Sequence, residues 1–127
     1  MRVFVTGTSG WIGSAIVARV DRSRPRGGRP CPFPHTAHQL EAAGAIVRRG
    51  DLGDPDGLAA APADSDEVIH LAFQHELAST GRFAGAHATD RRAVEAMGAS
   101  LADSDRPFVL ASGLLGMKPG QVAGVRR

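Results

Sequence analysis

The stretch V-T-G-T-S-G-W-I-G, residues 5–13, decides the fold of this 127-residue chain. Its first two residues end a β-branched run, residues 2–6, that predicts a buried strand. Its last three residues begin a helical pattern over residues 11–20. Its glycines follow the spacing G-x-x-G-x-x-G. Between a strand and a helix, such glycines permit a tight turn, a close backbone approach to a pyrophosphate and close helix packing. The stretch therefore predicts a dinucleotide-binding turn, with a purely structural turn as the alternative.

Strands and helices alternate along the rest of the chain. Apolar runs predict strands at residues 45–49, 67–72 and 107–111, and helical patterns cover residues 39–43 and 83–101. Asp54-Pro55 predicts the start of a further helix, with the acid at the N-cap and proline at the first helical position. This alternation predicts an α/β fold whose parallel sheet is covered by helices on both faces.

The composition excludes several classes of protein. A hydrophobic content of 43% and a charged content of 22% are typical of a globular domain rather than a fibrous or disordered chain. No apolar run approaches the roughly 20 residues that cross a bilayer, and the N-terminus has no signal-peptide pattern. A single cysteine, Cys31, indicates a cytoplasmic protein without disulfides. Because no run is long enough to cross a bilayer, we expect no membrane partner. The histidines lack metal-ligand spacing, so we also expect no metal site.

The basic charge is concentrated in one segment. The net charge is +2, and residues 21–34 alone hold four arginines and one acid. Nucleic-acid surfaces usually spread such charge over a folded face, so this pattern predicts no nucleic-acid partner. A salt-dependent nucleic-acid contact through these arginines is the weaker alternative.

Four stretches together resemble one known family. They are V-T-G-T-S-G-W-I-G at residues 5–13, R-R-G-D-L at 48–52, V-I-H-L-A at 68–72 and V-L-A-S-G at 109–113. In this order they resemble the N-terminal part of the NAD-dependent epimerase/dehydratase family, the extended or atypical short-chain dehydrogenases/reductases. The resemblance implies a Rossmann-like doubly wound parallel sheet, NAD or NADP as cofactor, and a small-molecule substrate that the sequence does not identify.

The resemblance implies roles at the first strand and near the third. The glycine turn would bind the pyrophosphate of the cofactor through Gly7, Ser9, Gly10, Trp11, Ile12 and Gly13. Asp51 would accept a hydrogen bond from the adenine, and the backbone amide of Leu52 would assist. For Asp51 the alternative is that its side chain caps a turn.

Further roles are implied at the ends of the fourth and fifth family strands. Leu71, Ala72 and Phe73 would line the crevice on the nicotinamide side. Ser112 would be the catalytic residue that hydrogen-bonds the substrate oxygen. His70 is expected to be a structural polar residue rather than an acid or base.

The family's usual catalytic pair is missing. Carbonyl reduction in this family uses Tyr-x-x-x-Lys, but the chain contains no tyrosine, and Lys118 comes too early. The chain also ends soon after Ser112, whereas the family continues into a substrate domain. We therefore expect residues 1–127 to be the N-terminal portion of an NAD(P)-binding Rossmann domain, truncated and catalytically incomplete. A non-catalytic dinucleotide-sensing module and an inactive fragment are the alternatives, and the oligomeric state stays open.

An irregular Pro/Arg-rich segment, residues 21–36, replaces the second family strand. It holds four of the eight prolines, which lack the amide that a central strand needs. We expect the second strand to be disrupted, leaving the third without a neighbour. Read one base out of frame from the Asp21 codon, the degenerate codons permit I-D-R-G-H-E-V-V-G-L-A-R-S, which resembles the missing strand. Compensating frame changes are our hypothesis, and a genuine proline segment is the alternative.

The same segment bears on the choice of cofactor. At the end of the second strand an acid favours NAD, whereas a basic residue favours NADP. Residues 33–36 read F-P-H-T, without an acid, and the shifted frame ends in A-R-S. The sequence therefore predicts NAD or NADP, with NADP slightly favoured.

Overall fold

A computed structural model of the protein describes residues 2–8, 10–20, 38, 41 and 46–112. The elements with bounds are β1 (Val3–Thr6), α1 (Trp11–Val20), α2 (Pro55–Ala60), β2 (Glu67–His70), α3 (His75–Ser79), α4 (Phe83–Leu101) and β3 (Phe108–Leu110). Within these described ranges the strands form one parallel sheet in the order β1-β2-β3. Parallel strands joined through helices confirm the α/β, Rossmann-like prediction.

The register of the sheet aligns the strand ends. Thr6 at the end of β1 lies opposite His70 at the end of β2, and His70 lies opposite Leu110 at the end of β3. The carboxyl ends of the strands therefore meet at one edge, where open α/β sheets bind their ligands. The strand predicted at residues 67–72 is β2, and it ends at His70 rather than Ala72. The amides of Leu71 and Ala72 donate to the Thr6 side chain instead of to a neighbouring strand.

The core forms where α4 packs against α2 and β2. One face of α4 is buried at three- and four-residue spacing, as an amphipathic helix requires. Its buried residues are Ala86, Thr89, Ala93, Met97 and Leu101. The last three pack with Leu58 of α2 and Val68 of β2. The sequence predicted this helix with the same bounds.

The start of α2 also follows the sequence prediction. The carboxylate of Asp54 accepts a hydrogen bond from the amide of Gly57 at 3.1 Å, and Pro55 occupies the first helical turn. The N-cap satisfies a helix amide that has no partner within the helix. By contrast, α3 was not predicted, because five residues are too few to show a periodic pattern.

The strand predicted at residues 45–49 is wrong for the part that the structure describes. Residues 46–50 are irregular, and Ile46 is 91% exposed. A strand needs a hydrogen-bonding neighbour, and on the described residues the sheet has none beyond β1 on that side. The Pro/Arg-rich segment at residues 21–36, its hypothetical frame change and most of the helix predicted at residues 39–43 lie outside the described residues.

In the part of the chain that the structure describes, no helix is both long and apolar enough to cross a bilayer.

Candidate functional site

The glycine turn passes directly against the end of β2. Gly7 has a φ of +71°, a conformation that side chains other than glycine rarely adopt. A Cβ built on Gly7 would lie 2.7 Å from the amide nitrogen of Ala72. Only glycine permits this approach, so the turn and the strand end form one surface.

The same turn holds the beginning of α1. A Cβ on Gly13 would lie 2.1 Å from the carbonyl oxygen of Gly7, so the helix packs tightly on the turn. The exposed Gly10 would place a Cβ near that oxygen alone, at 3.3 Å. The tight turn at Gly7 and the close helix packing at Gly13 are as the glycine spacing predicts, and the approach of a pyrophosphate to Gly10 stays a prediction.

The first turn of α1 offers amides to an anion. The amide of Ser14 bonds the carbonyl of Gly10 at 2.9 Å, so the amides of residues 11–13 precede this helical bond. No acid lies in that first turn. Amides at the start of a helix and the positive end of its dipole fit a pyrophosphate group. Ser9, which was predicted to join this cradle, lies outside the described residues.

Two large apolar side chains flank the turn. Trp11 is 76% exposed and Ile12 is 53% exposed. The hydroxyl of Ser14 donates to the carbonyl of Trp11 at 2.9 Å, which holds the helix start in place. Trp11 is the only tryptophan of the chain, so its fluorescence reports on this turn.

Asp51 makes the turn-capping contact that was the alternative to its adenine role. Its Oδ1 accepts a hydrogen bond from the amide of Gly53 at 2.7 Å, and its carbonyl accepts one from the amide of Asp54 at 3.1 Å. Leu52 beside it packs against the core. The capping bond uses one carboxylate oxygen, so the adenine contact through the other oxygen stays a prediction.

A buried polar network joins the ends of β1 and β2. Thr6 Oγ1 accepts hydrogen bonds from the amides of Leu71 at 3.1 Å and Ala72 at 3.2 Å. The same oxygen lies 2.7 Å from His70 Nδ1, and His70 Nε2 lies 3.1 Å from Asp90 Oδ1 of α4. His70 is 3% exposed, as expected of a structural polar residue. Thr6 belongs to the glycine-turn stretch that the sequence singles out, whereas no local pattern links Asp90, 20 residues after His70, to it.

Aromatic rings gather just beyond the end of β2. The ring of Phe73 lies 5.2 Å from that of His75 and 6.1 Å from that of Phe83. His87 stacks on Phe83 at 6.5 Å. The cluster joins Phe73, three residues beyond β2, to the first residue of α3 and the first turns of α4.

Ser112 lies two residues beyond β3 and is exposed. Ala111, between Ser112 and β3, donates its amide to the carbonyl of His70 at 3.1 Å. Gly7, residues 71–73 and Ser112 each follow the carboxyl end of a strand, whereas Asp51 lies outside the sheet, before α2. Within the described ranges, no three His, Cys, Asp or Glu side chains are grouped as metal ligands.

Comparisons with known proteins identify the family to which this sequence is similar. The sequence model of the NAD dependent epimerase/dehydratase family matches residues 3–105. No solved structure is a significant match to the chain.

Three curated proteins illustrate the similarity. An uncharacterized protein of Saccharomyces cerevisiae is 35% identical over 125 residues, covering 97% of this chain and 41% of that protein. An uncharacterized protein of Schizosaccharomyces pombe is 36% identical over 112 residues, covering 88% of this chain and 37% of that protein. A dTDP-glucose 4,6-dehydratase of Streptomyces antibioticus is 30% identical over 84 residues, covering 58% of the chain and 25% of that enzyme. The chain therefore spans well under half the length of these relatives.

Proposed function

Because the chain belongs to the NAD-dependent epimerase/dehydratase family, we propose that it binds a nicotinamide dinucleotide across the carboxyl edge of its sheet. The observation that carries the proposal is the close packing of Gly7 against Ala72 and of Gly13 against Gly7, beside the exposed backbone of Gly10. The first-turn amides of α1 bind the pyrophosphate, and the helix dipole favours its negative charge.

The two ends of the dinucleotide bind on either side of this turn. Asp51 accepts from the adenine amino group through the carboxylate oxygen that does not cap the turn, and the Leu52 amide assists. At the other end, Leu71, Ala72 and Phe73 line the nicotinamide side. The nicotinamide supplies the hydride chemistry when bound, and the protein orients it.

Residues 1–127 act, in this proposal, as the N-terminal, cofactor-binding part of a Rossmann domain. Ser112 hydrogen-bonds the substrate oxygen from the end of β3. The chain contains no tyrosine, so the acid/base of the family's usual Tyr-x-x-x-Lys pair does not come from these residues. The catalytically complete protein would be an oxidoreductase or epimerase of this family.

We further propose that NADP binds more tightly than NAD. Residues 33–36 contain no acid that could accept from the ribose 2′-hydroxyl of NAD. In the reading shifted by one base this segment ends in A-R-S, whose arginine would pair with the 2′-phosphate of NADP.

A dinucleotide-sensing module is the second candidate. A sensor would use the same glycine turn, and it would need no acid/base. It predicts tight binding and no consumption of NADPH with any carbonyl compound. Oxidation of NADPH that depends on both the chain and an added carbonyl would eliminate this candidate.

The binding proposal is tested by titrating NADPH and NADH into the chain and following Trp11 fluorescence. We expect saturable quenching by both, at lower concentration for NADPH. Asp51→Asn retains a capping oxygen for Gly53 but turns its amide toward the adenine, so affinity for NADPH should fall about tenfold. Reduced nicotinamide mononucleotide, which lacks adenine, should bind the wild-type chain and Asp51→Asn with equal affinity.

The matched control for this variant is Asp103→Asn, an exposed acid beyond the C-terminal end of α4. It removes the same charge at a distance from the turn. Equal losses of NADPH affinity in the two variants would show a general charge effect and refute the adenine contact. No saturable binding of either dinucleotide to the folded wild-type chain would refute the proposed function.

A further inference from the structure

The polar chain Thr6–His70–Asp90 runs from the glycine turn into the protein. Thr6 is 9% exposed and His70 is 3% exposed, so their polar atoms depend on each other for hydrogen bonds. Asp90, with 28% of its side chain exposed, closes the chain from α4. No role in dinucleotide binding has so far been assigned to these three side chains.

Counting lone pairs determines the direction of each hydrogen bond. Thr6 Oγ1 accepts from the amides of Leu71 and Ala72, which occupies both of its lone pairs. Its own proton must therefore point to the third neighbour, His70 Nδ1, 2.7 Å away. Nδ1 must accept this proton, so it carries none itself.

The other ring nitrogen agrees with this assignment. His70 Nε2 lies 3.1 Å from a carboxylate oxygen of Asp90, which only accepts. A proton on Nε2 makes this contact a hydrogen bond. The opposite tautomer would give Thr6 Oγ1 three donors and would turn an Nε2 lone pair toward the carboxylate. Both ends of the ring therefore select the neutral Nε2–H form.

We propose that His70, as this tautomer, is a positioning residue of the dinucleotide site. It fixes the Thr6 hydroxyl as a donor, which leaves both Thr6 lone pairs for the amides that follow β2. These amides belong to Leu71 and Ala72, and Gly7 packs against the same backbone. Asp90 selects the tautomer from α4. The effect on binding rests on the proposed function, whereas the tautomer does not.

The first test needs no ligand. Long-range proton–nitrogen NMR spectra of the free wild-type chain report which imidazole nitrogen carries the proton. We expect His70 to show a protonated Nε2 and an unprotonated Nδ1, and Asp90→Asn to weaken this preference. A proton on Nδ1 in the neutral ring would overturn the proposal, whether or not the chain binds a dinucleotide.

The second test separates the two nitrogens with a matched pair of variants. Asn carries an acceptor at the position of Nδ1, whereas Gln carries a donor at the position of Nε2. His70→Asn thus keeps the partner of Thr6, and His70→Gln keeps the partner of Asp90. We expect NADPH affinity to fall about tenfold in His70→Gln and less than about threefold in His70→Asn.

Thr6 supplies a check that does not alter the histidine. Thr6→Ser keeps the hydroxyl and should retain NADPH affinity. In the isosteric Thr6→Val, which lacks the hydroxyl, NADPH affinity should fall about tenfold. Urea unfolding of each variant separates affinity from folding, because a merely structural role would make affinity follow stability. Equal NADPH affinity in His70→Gln and His70→Asn would overturn the positioning role. Failure of the wild-type chain to bind NADPH would overturn it together with the proposed function, leaving the tautomer to be judged by NMR.

Discussion

Gly13→Ala should destabilise the protein although alanine is the better helix former. The added Cβ would lie 2.1 Å from the carbonyl oxygen of Gly7, 2.8 Å from its carbonyl carbon and 2.7 Å from Thr8 Cα. The closest approach is about 1.3 Å shorter than an ordinary contact. All three opposing atoms are backbone, so no side-chain rotation relieves the overlap and α1 must move away from the turn.

The size of the effect follows from two opposing contributions. Overpacking of this kind costs about 3 kcal/mol, the upper part of the usual range, because rigid backbone opposes the methyl group. Replacing glycine by alanine inside a helix recovers about 1 kcal/mol. We therefore expect the free energy of unfolding to fall by about 2 kcal/mol, measured by urea denaturation with far-ultraviolet circular dichroism. NADPH affinity should fall at least about tenfold, since the same movement displaces the first-turn amides.

Gly98→Ala is the matched control, because it makes the same substitution inside α4. There the added Cβ meets only a ring carbon of Phe108 at 3.8 Å, an ordinary contact. This variant should be more stable than the wild type by up to about 1 kcal/mol and should bind NADPH normally. The two variants are thus expected to change stability in opposite directions. A stabilising Gly13→Ala would refute the close packing of helix on turn.

Substitutions at Arg106, Met97 and Asp54 test the scaffold, and two of them are paired with a control variant. Arg106→Ala should lower the free energy of unfolding by about 2 kcal/mol in urea denaturation, because its guanidinium binds three backbone carbonyls, while the exposed Arg91→Ala changes it by less than about 0.5 kcal/mol. Met97→Ala removes the largest fully buried side chain among the described residues and should cost about 3 kcal/mol in the same measurement. Asp54→Ala should cost about 1 kcal/mol because it removes the α2 cap, and Asp54→Ser should recover most of it; no recovery would show that the cap is not the cause.

Local patterns in the sequence predicted much of this structure. The glycine turn could be predicted because its glycines stand where the backbone needs a positive φ or a close approach. The start of α2 could be predicted from Asp54-Pro55. The buried face of α4 follows from helical periodicity. Each of these features is determined within a few residues, so the sequence alone is sufficient to predict it.

Features that depend on distant neighbours were predicted poorly. Residues 46–49 have a strand-like composition, yet a strand exists only beside another strand, and none lies next to them among the described residues. The Thr6–His70 contact joins residues 64 positions apart, and its one local signal is that each residue ends its strand. The adenine role of Asp51 and the substrate role of Ser112 depend on ligands, so they stay predictions.

The most direct measurement of the central claim is the change in backbone amide shifts when NADPH is added to the isotopically labelled chain. The account predicts that the largest changes cluster at Gly7, at residues 10–13 and at residues 71–73. It predicts almost no change around Arg106, which lies just before the amino end of β3 at the opposite edge of the sheet. Shifts centred on that opposite edge, or none at saturating NADPH, would contradict the account.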